Sequence, residues 1–290
     1  MTAAVPWTTL RLLQWTQGYF TRKGIDAPRL TAELLLAHAL GSSRVNLYLE
    51  FDKPLAEPEL ARFRELVRRR ADREPTAYLL GAKDFHGRSF LVDPRVLIPR
   101  PETEEVLAAA LSELPADGQA LDLCTGSGVL GVSLALERPG ARVIATDLSP
   151  DALSVARRNA SRLGASGVTF LGGDLYDPVP PGSHFDLIVS NPPYVPRGEL
   201  DTLAPEIHRE PRLAIDGGPD GLAISRRIVA QAPVWLRPGG ALVLEMHESH
   251  LDALPALCLD CGFARAEARR DLAGLPRLVV AHVAGNPSPA

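Results

Sequence analysis

Over the first seventy residues the apolar positions recur at helical spacing. Leu30, Leu34, Leu35 and Leu40 interleave with Glu33 and His38, the pattern of a helix that buries one face, and Gly41-Ser42-Ser43 breaks the run. A second amphipathic stretch, Glu57 to Arg70, begins after Pro54. It ends in Arg68-Arg69-Arg70, cations where the helix dipole favours them, with Pro75 close behind. No strand signal precedes Ala71, so residues 1–77 are predicted to form a small all-α bundle. From Tyr78 the pattern changes: Phe85, Phe90 and Val92 alternate with polar residues around Gly81 and Gly87-Arg88, which predicts a β-hairpin linker over 78–98.

Beyond Pro101 helical and strand patterns alternate. A helix from Glu102, a strand at Ala120–Leu123, a helix from Val129 and a strand at Arg142–Thr146 follow in turn. Further strands are predicted at Val168–Gly172, Phe185–Ser190, Ala241–Glu245 and Leu278–His282. Such βαβ order implies a mostly parallel sheet, hence a doubly wound α/β domain over 99–284. Residues 285–290, Gly-Asn-Pro-Ser-Pro-Ala, lack apolar anchors and are expected to form a flexible tail.

Length agrees with two domains, since 290 residues exceed the usual single core. With 46% hydrophobic and 23% charged residues, and no apolar run long enough to cross a bilayer, the composition is that of an ordinary soluble protein. The N-terminus lacks the basic and apolar regions of a secretory signal, and three cysteines are too few for a disulfide framework, so a cytoplasmic location is expected. A net charge of -4 offers no global attraction to nucleic acid. Cys258 and Cys261 form a CxxC downstream of His247 and His250, a set that could bind zinc. Their place before Gly262-Phe263, at a predicted helix end, points instead to packing. No metal is expected.

Chemistry enters at Leu121-Asp122-Leu123-Cys124-Thr125-Gly126-Ser127-Gly128-Val129-Leu130-Gly131, a glycine-rich turn between a strand and a helix. Gly126, Gly128 and Gly131 satisfy GxGxxG, and Asp147 follows 147 − 126 = 21 residues later, at the end of the next strand. That carboxylate suits the hydroxyls of an adenosine ribose, a feature shared by nicotinamide cofactors and S-adenosylmethionine. Asp122 suits the cationic end of an amino acid, and Asp174, ahead of Leu175, falls beside the expected adenine; together they favour the methyl donor.

The strand Phe185–Ser190 runs into Asn191-Pro192-Pro193-Tyr194, which therefore lies at a carboxyl strand end, where open α/β sheets bind ligands. An amide or aromatic amino nitrogen is a weak nucleophile, because its lone pair is delocalised. Methylating it requires acceptors that converge on the NH2. The Asn191 side-chain oxygen and the Pro192 carbonyl supply them, the prolines stiffen the turn, and Tyr194 can stack on the planar group. These residues alone leave glutamine and adenine as nearly equal substrates.

The chain as a whole resembles the PrmC/HemK family, the protein-(glutamine-N5) methyltransferases that modify peptide chain release factors. Besides Asn191 to Tyr194, the resemblance rests on Leu97-Ile98-Pro99-Arg100-Pro101-Glu102-Thr103-Glu104, on Glu210-Pro211-Arg212-Leu213-Ala214-Ile215-Asp216-Gly217-Gly218 and on Asp271-Leu272-Ala273-Gly274. It implies a class I methyltransferase fold, Rossmann-like with a mostly parallel seven-stranded sheet, behind the helical N-terminal domain. The implied reaction moves a methyl from S-adenosylmethionine, leaving S-adenosylhomocysteine, to the glutamine of a release factor's Gly-Gly-Gln loop. The N-terminal bundle would dock that factor, and the enzyme is expected to act as a monomer. Carried over by resemblance, the cofactor positions fall on Cys124, Thr125, Gly126, Ser127, Gly128, Asp147, Leu175 and Asn191. The glutamine would lie at Asn191 to Tyr194, with Arg100 and Glu102 lining the same cleft. Cys124 stands where the family often has glycine, and His247 where a glycine usually follows Glu245-Met246. The rival activity is adenine-N6 methylation of nucleic acid, against which stand the acidic charge, the helical front end and the lack of a segment for gripping DNA.

Overall fold

The computed structural model describes residues 6–271 and 274–285. Two compact units emerge: residues 1–81 with Ala204–Arg209, and residues 82–203 with 210–290.

The first unit is helical, with α1 Thr9–Arg22, α2 Pro28–Leu40, α3 Arg44–Leu49, α4 Glu57–Ala71 and α5 Thr76–Leu80. Local chemistry sets several ends. Ser43 accepts from the Asn46 amide at the head of α3, and Glu59 from the Ala56 amide at the head of α4. Gly41 and Gly81 close α2 and α5 at φ 60° and 70°, a left-handed conformation that costs glycine little. Leu12, Phe20, Leu35, Leu36, Leu47, Phe63 and Val67 make the core. The stretch read as hairpin from Tyr78 is helical as far as Leu80: Pro75 starts α5 and Gly81 stops it, so the hairpin begins only at Ala82.

Ala204–Arg209, distant in sequence, completes this unit. Arg70 is buried, yet its Nη2 lies 2.8 Å from Glu206 Oε1, which also takes Arg73 Nη1 at 3.2 Å, while Arg209 donates to the Asp72 carbonyl. Removing one partner of a buried pair strands the other charge. Glu206→Ala is therefore expected to cost about 3 kcal/mol in the full-length chain, read as a lower urea midpoint for unfolding of the helical unit.

The second unit opens with a hairpin, β1 Ala82–Phe85 and β2 Arg88–Leu91, joined through His86 and Gly87, both at positive φ as a two-residue primed turn requires. It continues with α6 Thr103–Glu113, β3 Gln119–Leu123, α7 Val129–Glu137, β4 Arg142–Asp147, α8 Pro150–Leu163, β5 Val168–Gly172 and β6 Phe185–Ser190. Then come α9 Ala223–Trp235, β7 Leu236–Glu245, α10 Ala253–Asp260, β8 Arg265–Arg270 and β9 Pro276–His282. The seven-stranded sheet has the order β5-β4-β3-β6-β7-β9-β8. Neighbours from β5 to β7 run parallel, and β9 is antiparallel to both β7 and β8.

Successive strand residues point to opposite faces, and each face is covered. Ala120, Val143, Leu187 and Val243 pack with α6 and α7, whereas Leu121, Leu123, Ile188 and Leu242 pack with α9 and α10. Strand order reverses between β3 and β6, opening a crevice at their carboxyl ends.

Two strands depart from the expectation. β8, absent from it, reads Arg-Ala-Glu-Ala-Arg-Arg: an edge strand with both faces partly wet carries little apolar signal, and its charges guard the edge. β7 starts at Leu236 rather than Ala241, because Pro238-Gly239-Gly240 reads as a turn while pairing irregularly with β6. Among the described residues no helix is long and apolar enough to cross a membrane. Leu272 and Ala273 of the Asp271–Gly274 segment, and tail residues 286–290, lie outside the described residues.

Candidate active site

At the carboxyl end of β3 the chain turns sharply into α7. Cys124, Gly126 and Gly128 all have positive φ, at 58°, 56° and 86°. Cys124 therefore holds a conformation that favours glycine, and burial together with Asp147 pushes its thiol pKa up, so it stays neutral. At Gly128 a β-carbon would meet Ala156 Cβ and Val132 Cγ2 at 3.2 Å, so this glycine serves close packing; it is not in the cleft wall. At Gly126 a β-carbon would meet only the Cys124 carbonyl oxygen, at 4.0 Å, and the Gly126 amide donates to Asp147 Oδ2 at 2.9 Å.

Asp147 ends β4. Its Oδ1 accepts from the Ser149 amide at 2.8 Å, so both oxygens are aimed by backbone donors on the two turns that flank the cleft. Burial raises its pKa against those two bonds.

Asp122, on β3, is fully buried. Oδ2 accepts from Thr125 Oγ1 at 2.6 Å and from the Gly131 amide at 2.9 Å, but Oδ1 has no partner, and burial lifts the carboxyl pKa to about 7. A buried unpaired carboxylate oxygen in the wall of a cleft is a natural receptor for a cationic group. Leu175 sits at φ 48° with its carbonyl held by Thr146 Oγ1, a non-glycine in left-handed backbone at the rim of the site. Asp174 lines the same cleft, with Oδ2 taken by Arg227 Nη2 at 2.7 Å.

Asn191 follows β6 directly, on the other side of the strand-order reversal. Its Nδ2 donates to Thr103 Oγ1 at 3.2 Å, which leaves Oδ1 as the acceptor end. Thr103 in turn donates to Glu245 Oε2 at 2.8 Å, and Tyr194 donates its phenolic proton to Glu245 Oε1 at 3.1 Å. Burial, then Glu245, raises the Tyr194 pKa, so the phenol remains protonated. Tyr194's ring centroid lies 6.3 Å from that of His247.

Arg100 donates to Glu210 Oε1 at 2.6 Å, and the other oxygen of this buried glutamate accepts from the Ile98 amide at 2.9 Å. One carboxylate thereby ties together the two segments that flank the cleft, Leu97–Glu104 and Glu210–Gly218. Glu102 faces Arg277 at 3.8 Å.

Most of these groups meet in one cleft at the carboxyl ends of β3, β4 and β6. Cys124 to Ser127, Asp147, Asp174, Leu175, Asn191 and Pro193 are in its wall; Pro192, Tyr194, Arg100 and Glu102, expected there, are not among its lining residues. Thr103 and Glu245, as functional residues, were not foreseen. Glu245 reads locally as the polar end of a buried strand, and its partners come from positions 51 and 142 residues away. Val96, Leu97, Pro99 and Leu213 add apolar wall that no local pattern marks as ligand-binding.

The alternative zinc set is not assembled: among the described residues no group of three or more His, Cys, Asp or Glu is placed to hold a metal. His250 Nε2 bonds the Asp220 carbonyl at 2.9 Å, and Cys258, on the buried face of α10, packs in the core.

Comparison with known proteins bears on the family and the fold. Residues 11–81 match the family model of the PrmC N-terminal domain, and residues 102–211 that of the methyltransferase small domain. A release factor glutamine methyltransferase of Geobacter sulfurreducens is 45% identical over 274 residues, covering 94% of this chain and 96% of its own. One from Chlorobaculum tepidum is 45% identical over 285 residues, covering 93% and 96%. Among solved structures, a methyltransferase from Pyrococcus furiosus superposes with a TM-score of 0.53 at 22% identity, over 70% of this chain and 92% of its own. A Thermus thermophilus 16S rRNA N2 G1207 methyltransferase in complex with AdoMet and guanosine gives 0.53 at 20% identity, over 70% and 49%. These two show a shared methyltransferase fold.

Proposed function

The chain belongs to the release factor glutamine methyltransferases, and from that premise we propose that it methylates the side-chain amide nitrogen of the glutamine in a release factor's Gly-Gly-Gln loop. The observation that carries this reading is the orientation of Asn191: with Nδ2 engaged by Thr103, its oxygen is the end left to accept from a substrate NH2.

S-adenosylmethionine fits the cleft by the chemistry of the residues present. Asp122 Oδ1 offers an unpaired anionic oxygen for the α-amino group, Asp147 holds two aimed carboxylate oxygens for the ribose hydroxyls, and Leu175 with Asp174 bounds the adenine end. When bound, S-adenosylmethionine would supply an electrophilic methyl on a sulfonium, with a neutral thioether as the leaving group. The chain's own residues then hold the glutamine amide. Asn191 Oδ1 and the Pro192 carbonyl accept its two N–H bonds, so the nitrogen lone pair is presented to the methyl, and the acceptors stabilise positive charge as it develops on nitrogen. One amide proton leaves to water as the N–CH3 bond forms. Pro193 keeps the turn rigid, and Tyr194, its hydroxyl fixed by Glu245, flanks the planar group. Arg100, anchored by Glu210, steadies the substrate side of the cleft.

Docking of the factor is assigned to the helical unit. A release factor is met in the cytoplasm, and we place the enzyme there, acting as a monomer without a metal. The test is incubation with labelled S-adenosylmethionine plus release factor, DNA or RNA separately. Label is expected in the factor alone, with peptide mass analysis finding one added methyl on the Gly-Gly-Gln glutamine; label in nucleic acid alone would overturn the reading in favour of adenine chemistry.

A further inference from the structure

We propose that Glu245 is a positioning residue for methyl transfer: acting through the Thr103 hydroxyl, it dictates which end of the Asn191 amide faces the substrate. This rests on the reaction proposed above and concerns how its acceptor is kept in the right orientation.

The argument is one of hydrogen-bond direction. A side-chain amide is nearly symmetric in shape, so packing alone hardly distinguishes its oxygen from its NH2, yet only the oxygen can accept from a substrate N–H. Something must choose. An ionised carboxylate accepts only, so Glu245 Oε2 takes the single proton of Thr103 Oγ1, 2.8 Å away. With its proton committed, the Thr103 oxygen can only accept, and what reaches it from Asn191 at 3.2 Å must be the NH2. Asn191 Oδ1 is thereby turned to the substrate. The second carboxylate oxygen is occupied by the Tyr194 hydroxyl, which fixes the carboxylate plane.

Protonation of Glu245 reverses the chain. The Tyr194 phenol has no other acceptor among the described residues, so the oxygen facing Tyr194 remains an acceptor and the new proton sits toward Thr103. Thr103 then accepts from Glu245 and donates to Asn191, selecting the amide oxygen and leaving NH2 to face the substrate NH2. Donor meets donor, and the substrate amide loses one of its two acceptors.

The groups facing Glu245 are Tyr194 from the segment after β6, Glu102 at the head of α6 and Arg277 from β9. Burial raises the Glu245 pKa to about 7; the Thr103 and Tyr194 bonds oppose it, Glu102 adds to it and Arg277 opposes it. The switch therefore falls near neutral pH. Ionised Glu245 is the active form, so turnover should rise as pH passes upward through about 7 and fall tenfold per unit well below it.

The experiment measures kcat and KM against a release factor between pH 6 and 9, with S-adenosylmethionine affinity followed separately by calorimetry. Thr103→Val, nearly the same shape, is expected to lower kcat at least about 100-fold while cofactor Kd changes less than about threefold; Thr103→Ser, which keeps the hydroxyl, should recover activity to within about threefold of wild type. Glu245→Gln should lower kcat and abolish the step near pH 7. Full activity in Thr103→Val, or a step that persists in Glu245→Gln, would overturn the inference. Should Thr103→Val fail to bind cofactor, the Thr103→Ser rescue and the Glu245→Gln pH profile decide. If instead wild type binds cofactor and leaves the release factor unmodified at every pH, it is the proposed function that fails.

Discussion

Replacing Asn191 by alanine should abolish methyl transfer to a release factor while S-adenosylmethionine still binds within about tenfold of wild type, a loss of at most roughly 1.4 kcal/mol. The asymmetry follows from where the side chain acts. Its Nδ2 is spent on Thr103, and its Oδ1 is the acceptor assigned above to the substrate NH2. Most of the cofactor contacts are assigned to the β3 and β4 turns, which the substitution does not touch. An interaction that tightens only as the amide nitrogen acquires positive charge lowers kcat when removed, and removing one such acceptor typically costs 10²–10³-fold. Misalignment of the amide adds to that loss. Single-turnover assays for transfer, with calorimetry for cofactor binding, check both halves; transfer that survives would remove Asn191 from the acceptor role.

The opposite pattern is expected of Asp147→Ala. Here cofactor affinity should fall by about 100-fold or more, since two charge-assisted hydrogen bonds to ribose hydroxyls are worth about 1.5–3 kcal/mol each. The same carboxylate also accepts from the Gly126 and Ser149 amides, so the two turns that form the cleft floor lose a shared partner. At saturating cofactor, turnover should recover far more than in Asn191→Ala, because Asp147 lies away from the reacting nitrogen. Titration calorimetry gives the affinity and kcat at high cofactor gives the recovery; unchanged affinity would refute the assignment. Asp147→Asn, which keeps one acceptor oxygen, should fall between the two.

The contrast marks what kind of site information a chain displays locally. Asp147 lies 21 residues from Gly126 because one crossover helix separates two adjacent parallel strands, and that spacing is legible in a single sequence. The turn at Cys124 to Gly128 is legible for a similar reason: positive φ at alternate positions, 124, 126 and 128, favours glycine, and Cys124 is visible as an exception. Arg100 and Glu210 were legible only as members of two separate segments. That one carboxylate clasps both, across 110 residues, is a fact of the fold. The helical front end was readable from its period, whereas the recruitment of Ala204–Arg209 into it through buried Arg70 was not.

By itself, then, the sequence determined the helical front end, the alternation of helix and strand beyond Pro101, and the strand-end placement of the glycine-rich turn, of Asp147 and of Asn191 to Tyr194. Those features depend on backbone conformations and periodicities set by near neighbours along the chain. Only the tertiary structure decided that β7 lies beside β6, bringing buried Glu245 to Tyr194 and, through Thr103, to an asparagine 88 residues further on. The physical reason is that a buried carboxylate is defined by its partners. Desolvation and hydrogen bonding raise its pKa and direct its contacts, and those partners arrive from strand order and helix packing, which no local pattern records.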